Sequence, residues 1–600
     1  MRRLLTTLMI LLVVVTAGLS ALLLLINPND FRAYMVKQVQ QRTGYTLTLD
    51  GDLRWRVWPQ LSILTDHMSL RADGALQPLI SADNMRLDVR LWPLLSHQLD
   101  VRQVMLKGAV IRLSPDSEPQ QVASAPSSPV ARSEAISDMA WRLNIQKVKV
   151  EDSLVIWQPP EGEPINLRDI QLSLDQNAQR QVALSFSSRI NRDQRDLLVN
   201  LEASVDLRHY PQQYQAQISH FDYRYSGAGL PAAGIAGQGS TSLSYQAAPA
   251  TVTLSGLMLS ANDSQLQGEI AATLGAHPDY RVTLRADKLN WDALSGWQGV
   301  DVAAAKEDAL TSPPPSPVIS QVSAPIADNN LPFLRDFSAA VNIQANQLTY
   351  HGLTIHEFDL QASNQQGKGE LTRLNGRIDK GSFAISGTLQ SLADQAPRVT
   401  LQPRLQQIAL QPVLKAFALP EFIDGRLSLE ANLHGNGIAP ASLLRHWQGE
   451  GTLNIDNARL EGLNIAQLVQ QAVKRSQRGI QADERLDTFT TFHSLRAEAA
   501  LRDGRLTLNR LSGQSPLLDL NGNGSVDLAN QRCDINLGVQ VLQGWSGHNE
   551  LVALLQQARI PLHIYGDWQQ LNYQLNVEQA LRGSLEQEAR DALKNWLKRR

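Results

Sequence analysis

The feature that most constrains this chain is a two-residue alternation of apolar and polar side chains, which recurs along most of its 600 residues. Residues 85–91 show it clearly, because apolar and charged residues alternate strictly there. Successive side chains of a strand point to opposite faces of a sheet, so the pattern predicts strands that are apolar on one face and wet on the other. The sequence therefore predicts a mainly β chain, folded as a long antiparallel meander.

Glycines interrupt the alternation in a loosely repeated way. An apolar residue, a polar residue, a glycine and a second apolar strand follow one another at residues 266–270, 385–389 and 520–526. Glycine tolerates a positive φ without steric cost, so these positions are predicted to be hairpin turns or bulges.

The amino terminus departs from the alternation. Residues 4–26 contain no charged side chain, and as a helix they would span roughly 34 Å, enough to cross a bilayer core. The apolar region of a cleaved signal peptide is shorter, about 7–15 residues. Residues 1–26 are therefore predicted to be a retained transmembrane anchor, with a removed signal peptide as the alternative. The predicted anchor residues are Leu4, Leu8, Leu12, Val15, Leu22, Leu25 and Ile26.

The order of segments predicts the orientation of the anchor, since the charges on its two sides are nearly balanced. A short basic head precedes the apolar run, and a very long polar chain follows it. Long domains translocate with little regard to their own charge. The order of segments thus predicts a single-pass membrane protein with a cytoplasmic amino terminus and its bulk outside the cytoplasm.

Composition excludes several classes of protein. The net charge of −3 is close to neutral for this length, so no nucleic-acid partner is expected. Cys533 is the single cysteine, which excludes an intramolecular disulfide framework and cysteine-based zinc sites. A large exported chain without disulfides fits a bacterial envelope.

Pro- and Ser-rich stretches and helical periodicity divide the chain further. A helix is predicted after the anchor, with Asn29 or Asp30 capping its start and Gly44 ending it. Two more helices are predicted, one from Ile465 to near Gly479 and one around residues 551–555 that Pro561 stops.

The predicted segments are the anchor (1–26), a helix and the start of the β-groove (27–114), a linker or long loop (115–138), a β-rich middle region (139–298), a Pro/Ser/Ala-rich linker (299–332), a β-rich C-terminal region (333–578) and a C-terminal amphipathic helix (579–600).

The sequence carries no catalytic signature. It has no phosphate loop ending in G-K-[ST], no H-E-x-x-H and no G-x-S-x-G. The closest histidine pair, His351 and His356, would fall on opposite faces of a strand, which argues against a metal site. Acidic residues such as Asp88 alternate with apolar ones and are predicted to lie on a wet face. We therefore expect no catalytic residue, no metal, no cofactor and no enzymatic activity.

Several long strings of residues resemble the AsmA-like family of bacterial envelope proteins. They lie at residues 27–32, 58–64, 82–89, 93–99, 191–197, 261–264 and 565–573. The resemblance runs essentially from end to end and fades in the two predicted linkers. It implies an inner-membrane-anchored periplasmic protein of outer-membrane biogenesis. It also implies a fold akin to TamB-like and bridge-like lipid transfer proteins, in which repeating β-grooves carry phospholipid on an apolar face, and it implies no catalytic residues.

The expected fold is therefore a transmembrane helix followed by an elongated antiparallel β-groove with a few short helices. The function that the resemblance implies is to carry phospholipid between the inner and outer membranes. An apolar sheet face would suit this role, because an acyl chain of order ten CH₂ groups costs roughly 8 kcal/mol to expose to water. The expected partners are phospholipid, the inner membrane through the anchor, and the outer membrane or its assembly machinery. Candidate groove residues are Leu87, Val89, Leu91, Ile111, Leu113, Leu353, Ile355, Phe383, Ile385, Leu518 and Leu520.

Two alternatives remain open at this point. Half-apolar sheets commonly pack in pairs, so the apolar faces could instead form dry, closed sandwiches. The chain could also act as a non-enzymatic assembly factor or scaffold that influences the insertion of outer-membrane proteins through exposed strand edges.

Overall fold

The computed structural model describes most of the chain between Asn27 and Val577. The described residues are 27–57, 60–90, 100–117, 146–158, 164–192, 194–297, 331–392, 395–474, 480–482, 488–547, 549–568 and 570–577, with the single residues Met9, Val13 and Pro93. The chain divides into two compact units, Met1–Asn262 and Asp263–Arg600. Each unit is described by itself.

The predicted anchor lies outside the described residues. Leu4, Leu8, Leu12, Val15, Leu22, Leu25 and Ile26 are all among the positions that are not described. No helix within the described part of the chain combines the length and apolar character that a membrane span requires. The transmembrane anchor stays a prediction.

Unit 1 begins with a short 3₁₀ turn, Pro28–Phe31, that leads into helix α1, Arg32–Thr43. The helix ends at Gly44, which has a φ of 75°, as predicted. The prediction of the cap at Asn29 or Asp30 is wrong, because the side chain of Asn27 accepts the hydrogen bond of the Asn29 amide at 3.0 Å. Pro28 has no N–H, so the next amide along the chain takes the cap.

Thirteen strands follow α1 in the described residues of unit 1. They are β1 Tyr45–Asp50, β2 Arg54–Arg56, β3 Ser62–Thr65, β4 His67–Ala72, β5 Ile80–Val89, β6 Val101–Leu113, β7 Lys147–Trp157, β8 Ile165–Gln176, β9 Gln181–Arg192, β10 Arg195–Asp206, β11 Gln213–Gly227, β12 Ile235–Ala247 and β13 Ala250–Ala261. From β7 to β13 each strand pairs with its sequence neighbours in antiparallel register.

Unit 2 is also built mainly of strands. They are β14 Ser264–Thr273, β15 Asp279–Asn290, β16 Ser338–Tyr350, β17 Leu353–Gln365, β18 Lys368–Ile378, β19 Gly381–Gln390, β20 Arg398–Ala409, β21 Ile423–Asn436, β22 Trp447–Glu461, β23 Ile480–Ala482, β24 Phe489–Arg502, β25 Arg505–Gln514, β26 Leu518–Asp527, β27 Arg532–Val541, β28 Trp545–Gly547, β29 Ile560–Asp567 and β30 Gln570–Leu575. Its helices are α2 Trp291–Ser295, α3 Leu410–Ala416, α4 Pro440–His446, α5 Ile465–Lys474 and α6 Asn549–Gln557.

The helices of unit 2 agree with the predicted ones in place but not in every boundary. Helix α5 is described as far as Lys474, and its predicted end near Gly479 lies outside the described residues. Helix α6 ends at Gln557, whereas Pro561, which was predicted to stop it, lies inside β29. The short helices α2, α3 and α4 were not predicted. The predicted C-terminal helix, 579–600, and most of both predicted linkers lie outside the described residues.

Two strand pairs are parallel, which the prediction of an antiparallel meander did not include. Strand β6 runs parallel to β7, with Leu106 opposite Val150, and β15 runs parallel to β16, with Val282 opposite Val341. Parallel neighbours need a long connection that returns to the same end of the sheet. The two pairs flank residues 115–138 and 299–332, where the sequence predicts its two long interruptions.

The repeated glycines Gly522 and Gly524 lie inside β26 and not at a turn, and the bulge beside them is in the neighbouring strand β25. Leu508 and Leu511 pair with Gly524 and Gly522, so two residues of β25 oppose one residue of β26. Arg510, inside the bulge, has a φ of 47°. A Cβ at Gly522 would lie 2.1 Å from the carbonyl oxygen of Asn536 on the other neighbouring strand. Glycine is therefore required at this close approach of strands.

Each unit has a well-covered core at one end of its sheet. In unit 1, Phe31 and Met35 of the N-terminal helical segment pack against the apolar residues of the first strands, Leu87 and Val89 among them. In unit 2, Val469 of α5 and Leu555 of α6 pack against the last strands.

The prediction that Asp88 lies on a wet face is wrong. The residue is 2% exposed, and its carboxylate accepts hydrogen bonds from Ser62 Oγ at 2.7 Å and from Arg86 Nε at 2.6 Å. Burial of a carboxylate is tolerated here because a hydroxyl and a guanidinium satisfy it.

Candidate functional site

The apolar side chains of neighbouring strands line up on one face of the sheet in unit 1. Leu201 of β10 lies directly opposite Phe186 of β9 on one side and Phe221 of β11 on the other. Apolar residues also pair with apolar residues in other ladders of this sheet, as Ile190 does with Leu167 and Leu243 with Leu254. Between the β-bulges that interrupt several of these ladders, the two-residue alternation keeps such pairs on one face. The face is continuous in the ladder from β7 to β13.

We use the name open face of unit 1 for the apolar side chains of β7–β13, which are mostly half-buried. The described helical segments of this unit pack instead against its first strands. Representative members of the open face are Val155, Leu167, Leu172, Leu184, Phe186, Ile190, Leu197, Leu201, Ile218, Phe221, Leu243 and Leu254.

A concavity of about 760 Å³ and another of about 730 Å³ lie on unit 1, and they differ in their lining. The first is lined mainly by polar side chains of the wet face, such as Gln215 and Ser242. The second lies on the open face and has an aromatic wall of Phe221, Tyr223 and Tyr225. Its apolar wall suits an alkyl chain, whereas the polar lining of the first concavity does not.

The hydroxyl of Tyr223 is a polar group within this apolar wall, and its hydrogen-bonding capacity is satisfied. It donates a hydrogen bond to the carbonyl oxygen of Ser260 at 2.9 Å. Burial raises the pKa of the Tyr223 hydroxyl above its usual value, so the side chain stays neutral. The ring also stacks on Phe221 with a centroid distance of 5.4 Å. The wall is therefore uncharged and apolar along the rings.

Unit 2 repeats the arrangement on its own sheet. Ile385 of β19 lies opposite Leu374 of β18 and Pro403 of β20. We use the name open face of unit 2 for its half-buried apolar side chains on β16–β21. They include Val341, Ile343, Leu360, Leu371, Leu374, Ile385, Leu389, Leu401, Leu405, Leu429 and Leu433.

The opposite face of unit 2 is polar. Arg373 pairs with Asp359 at 2.9 Å, and Arg404 pairs with Glu430 at 3.0 Å. Cross-strand ion pairs of this kind favour water on that side of the sheet. Asp456, on the same side, accepts hydrogen bonds from Gln407 at 2.6 Å and Asn454 at 2.8 Å. These bonds lower the pKa of the Asp456 carboxyl.

The structure separates the predicted groove residues into covered and open positions. Those within the cores are Leu87, Val89, Leu353, Ile355, Leu518 and Leu520, the last two at 1% exposure. Those that are half-buried or exposed are Ile111, Leu113, Phe383 and Ile385. Leu91 lies outside the described residues. The ten described residues all lie on the apolar face of their own unit.

Sequence reasoning missed the aromatic wall of the concavity in unit 1. The signal was present, because Phe221, Tyr223 and Tyr225 alternate with Asp222 and Arg224. The two-residue period predicts that these three rings share one face.

The histidines do not form a metal site among the described residues, where no three His, Cys, Asp or Glu side chains come together suitably. His351 lies in the turn between β16 and β17, with a φ of 51°, so the prediction of a strand position for it is wrong. Its ring stacks on Trp297 with a centroid distance of 5.2 Å. His356 is an exposed residue of β17.

Comparison with known proteins finds a family model and a relative that match this chain. The model of the AsmA family matches residues 1–275 and 234–511. Protein AsmA of Escherichia coli (strain K12) is 42% identical over 607 residues, which cover 100% of this chain and 97% of that protein. No solved structure is significantly similar to the chain.

An apolar face in each unit, with an ion-paired face opposite it in unit 2, defines an amphipathic β-sheet protein. The chain belongs to the AsmA family of bacterial envelope proteins.

Proposed function

We propose that the protein carries phospholipid between the inner and outer membranes along its apolar sheet faces, as part of outer-membrane biogenesis. The observation that supports this most directly is the open face of each unit. Its side chains are apolar and in register from strand to strand, yet they are only half-buried. An apolar surface of this extent is rarely left to water unless something binds it.

The spacing of the strands suits the movement of an acyl chain. Adjacent strands lie about 4.8 Å apart, so each step across the sheet brings the chain to the next apolar side chain. Contact with such a face would remove much of the roughly 8 kcal/mol that ten exposed CH₂ groups cost in water. A lipid could thus pass between neighbouring strands without full exposure to water.

In this proposed role the protein is anchored in the inner membrane and binds lipid in the periplasm. The amino-terminal apolar run anchors it in the inner membrane with a cytoplasmic amino terminus, and both units lie in the periplasm. The protein acts by binding and shielding lipid and catalyses no covalent reaction. Its partners are phospholipid, the inner membrane and a receiving site at the outer membrane.

Photo-crosslinking in cells tests the proposal. A photoreactive phenylalanine analogue is placed at Phe186 and Leu201 on the open face of unit 1, and at Ser185 and Glu202 of the opposite face as matched controls. We expect phospholipid adducts at the first two positions and none at the second two. A lack of lipid adducts at Phe186 and Leu201 would overturn the proposal.

The assembly-factor hypothesis predicts a different result in the same experiment. Protein adducts on the apolar faces or along the strand edges, without any lipid adduct, would favour a scaffold that binds outer-membrane proteins or their machinery.

A further inference from the structure

Two arginines face each other at the rim of the apolar concavity of unit 1. Arg192 ends β9, Arg195 begins β10, and the two are direct cross-strand partners. They lie on the same face as the next pair along the strands, Ile190 and Leu197. Like charges directly opposite each other destabilise a strand pair. This arrangement favours an anion between the two guanidinium groups.

The described residues offer these two arginines no carboxylate in an ion pair. Arg195 Nε donates to the carbonyl oxygen of Ala228 at 3.1 Å, which leaves its charge uncompensated. Asp196 points to the other face, where it accepts a hydrogen bond from Asn191 at 2.7 Å and lies 3.8 Å from Arg189. In the sequence between the two arginines there is one acidic residue, Asp193, so residues 192–195 carry a net positive charge.

The concavity beyond the rim has the opposite character. Both arginines line it at one end, and its remaining wall is formed by Ile190, Leu197, Leu259 and the three aromatic rings. A ligand that fits both parts has an anionic group and an alkyl chain in direct succession. Arginine is suited to the anionic group, because its planar fork donates two parallel hydrogen bonds to phosphate oxygens.

We infer that Arg192 and Arg195 bind the phosphate of a phospholipid whose acyl chains lie in the adjoining concavity. This inference rests on the proposed function and adds to it a fixed orientation of the lipid, with its headgroup at the β9–β10 turn. The arginines act as a recognition site for the phosphodiester group. Neutral lipids with the same acyl chains are then held only by the apolar wall.

Crosslinking of the full-length protein in detergent tests the inference with two matched lipids. The photoreactive analogue is placed at Leu197, and the adduct yield is measured by mass spectrometry with phosphatidylglycerol and with diacylglycerol of the same chains. We expect about tenfold more phosphatidylglycerol adduct, since two charge-assisted hydrogen-bonding groups are involved. The excess falls as salt is raised, because the arginines are exposed.

Charge reversal at the rim should remove the preference and leave the apolar binding. The double substitution Arg192→Glu/Arg195→Glu is expected to lower the phosphatidylglycerol yield to that of diacylglycerol. The control, Arg168→Glu/Arg224→Glu, makes the same change in charge at exposed positions on the wet face of the same unit and should keep the excess. Arg192→Lys/Arg195→Lys, which keeps the charge, should keep part of it and guards against misfolding of the first variant.

The outcomes distinguish the two proposals. Equal yields of the two lipids in the unmodified protein, or an excess that survives Arg192→Glu/Arg195→Glu, would overturn the headgroup site and leave lipid binding in place. Loss of the phosphatidylglycerol adduct on addition of equimolar inorganic phosphate would assign the arginines to a free anion and also overturn the inference. The absence of any lipid adduct at Leu197 would overturn the proposed function itself.

Discussion

Ser62 and Asp88 form a buried hydrogen bond, with the hydroxyl oxygen 2.7 Å from the carboxylate, on the face of the sheet opposite Leu87. Arg86 completes the group, its guanidinium 2.6 Å from the same carboxylate. Buried charges persist only when they are paired and hydrogen-bonded in this way. Strands β3 and β5 are thus buried on both faces at this point, since Ile63 and Leu87 on the other face are buried as well.

Removal of the Asp88 carboxylate should destabilise the start of unit 1. We expect Asp88→Ala to cost about 3 kcal/mol of local stability, because the Arg86 guanidinium is left largely buried without its partner. Hydrogen exchange of the amides of β3 and β5 in the full-length protein measures the effect. The control is Asp83→Ala on the same strand, where the residue is exposed. Equal exchange in the two variants would contradict the prediction.

The same substitution should have different costs at covered and open positions of unit 2. Leu520→Ala lies in the core beneath α5 and α6 and is expected to cost about 3 kcal/mol. Leu371→Ala, on the open face, should cost about 1 kcal/mol, because the side chain is only half-buried. Hydrogen exchange in β26 and β18 gives both values. A cost at Leu371 that matches the cost at Leu520 would show that something covers the open face.

A charge on the open face should obstruct lipid. Ile385→Asp places a carboxylate between Leu374 and Pro403, and we expect the yield of phospholipid adduct at Leu371 to fall about fivefold, because an acyl chain beside it would desolvate the charge. Ala384→Asp is the matched control, since Ala384 is an exposed residue of the opposite face. The prediction fails if the two substitutions lower the adduct yield equally.

Asp456 should make the stability of unit 2 depend on pH in the acid range. Hydrogen bonds from Gln407 and Asn454 lower the pKa of the Asp456 carboxyl from 3.8 in its reference state. A group with a lowered folded pKa stabilises the fold fully above its unfolded pKa and loses that contribution as the pH falls through the folded value. The protein and its Asp456→Asn variant should therefore differ in melting temperature at about pH 6 and converge as the pH falls through the lowered pKa of the folded state. A difference that does not change with pH would refute this.

Glycine at position 522 should be hard to replace. A Cβ there meets the carbonyl oxygen of Asn536 at 2.1 Å, so Gly522→Ala is expected to cost about 2 kcal/mol through displacement of the neighbouring strand. Gly275→Ala, where a Cβ would meet nothing within 4 Å, should be nearly neutral. Thermal unfolding of the two variants provides the comparison, and similar melting temperatures would contradict the prediction.

The local parts of the fold could be predicted from the sequence, and the long-range parts could not. Alternation predicts the strands and their apolar face, since it is a property of neighbouring residues. Alternation does not predict that Leu520 is buried while Ile385 is only half-buried. The difference arises because α5 and α6, which lie elsewhere in the sequence, cover Leu520 and not Ile385. Alternation also predicted an exposed position for Asp88, because it carries no information about Ser62 and Arg86, which satisfy the buried carboxylate. It likewise could not predict that β6 and β7 run parallel, since strand direction depends on the connection between them.

The strand register also has a consequence for how this family can vary in length. From β7 to β13 each strand pairs only with its sequence neighbours, so the ladder resembles a one-dimensional stack. A duplicated hairpin can be inserted without disturbing any other pair, and it lengthens the ladder by about 9.6 Å. A single-residue insertion within a strand, by contrast, turns the rest of that strand over. Evolution can therefore adjust the reach of such a protein in steps of whole hairpins.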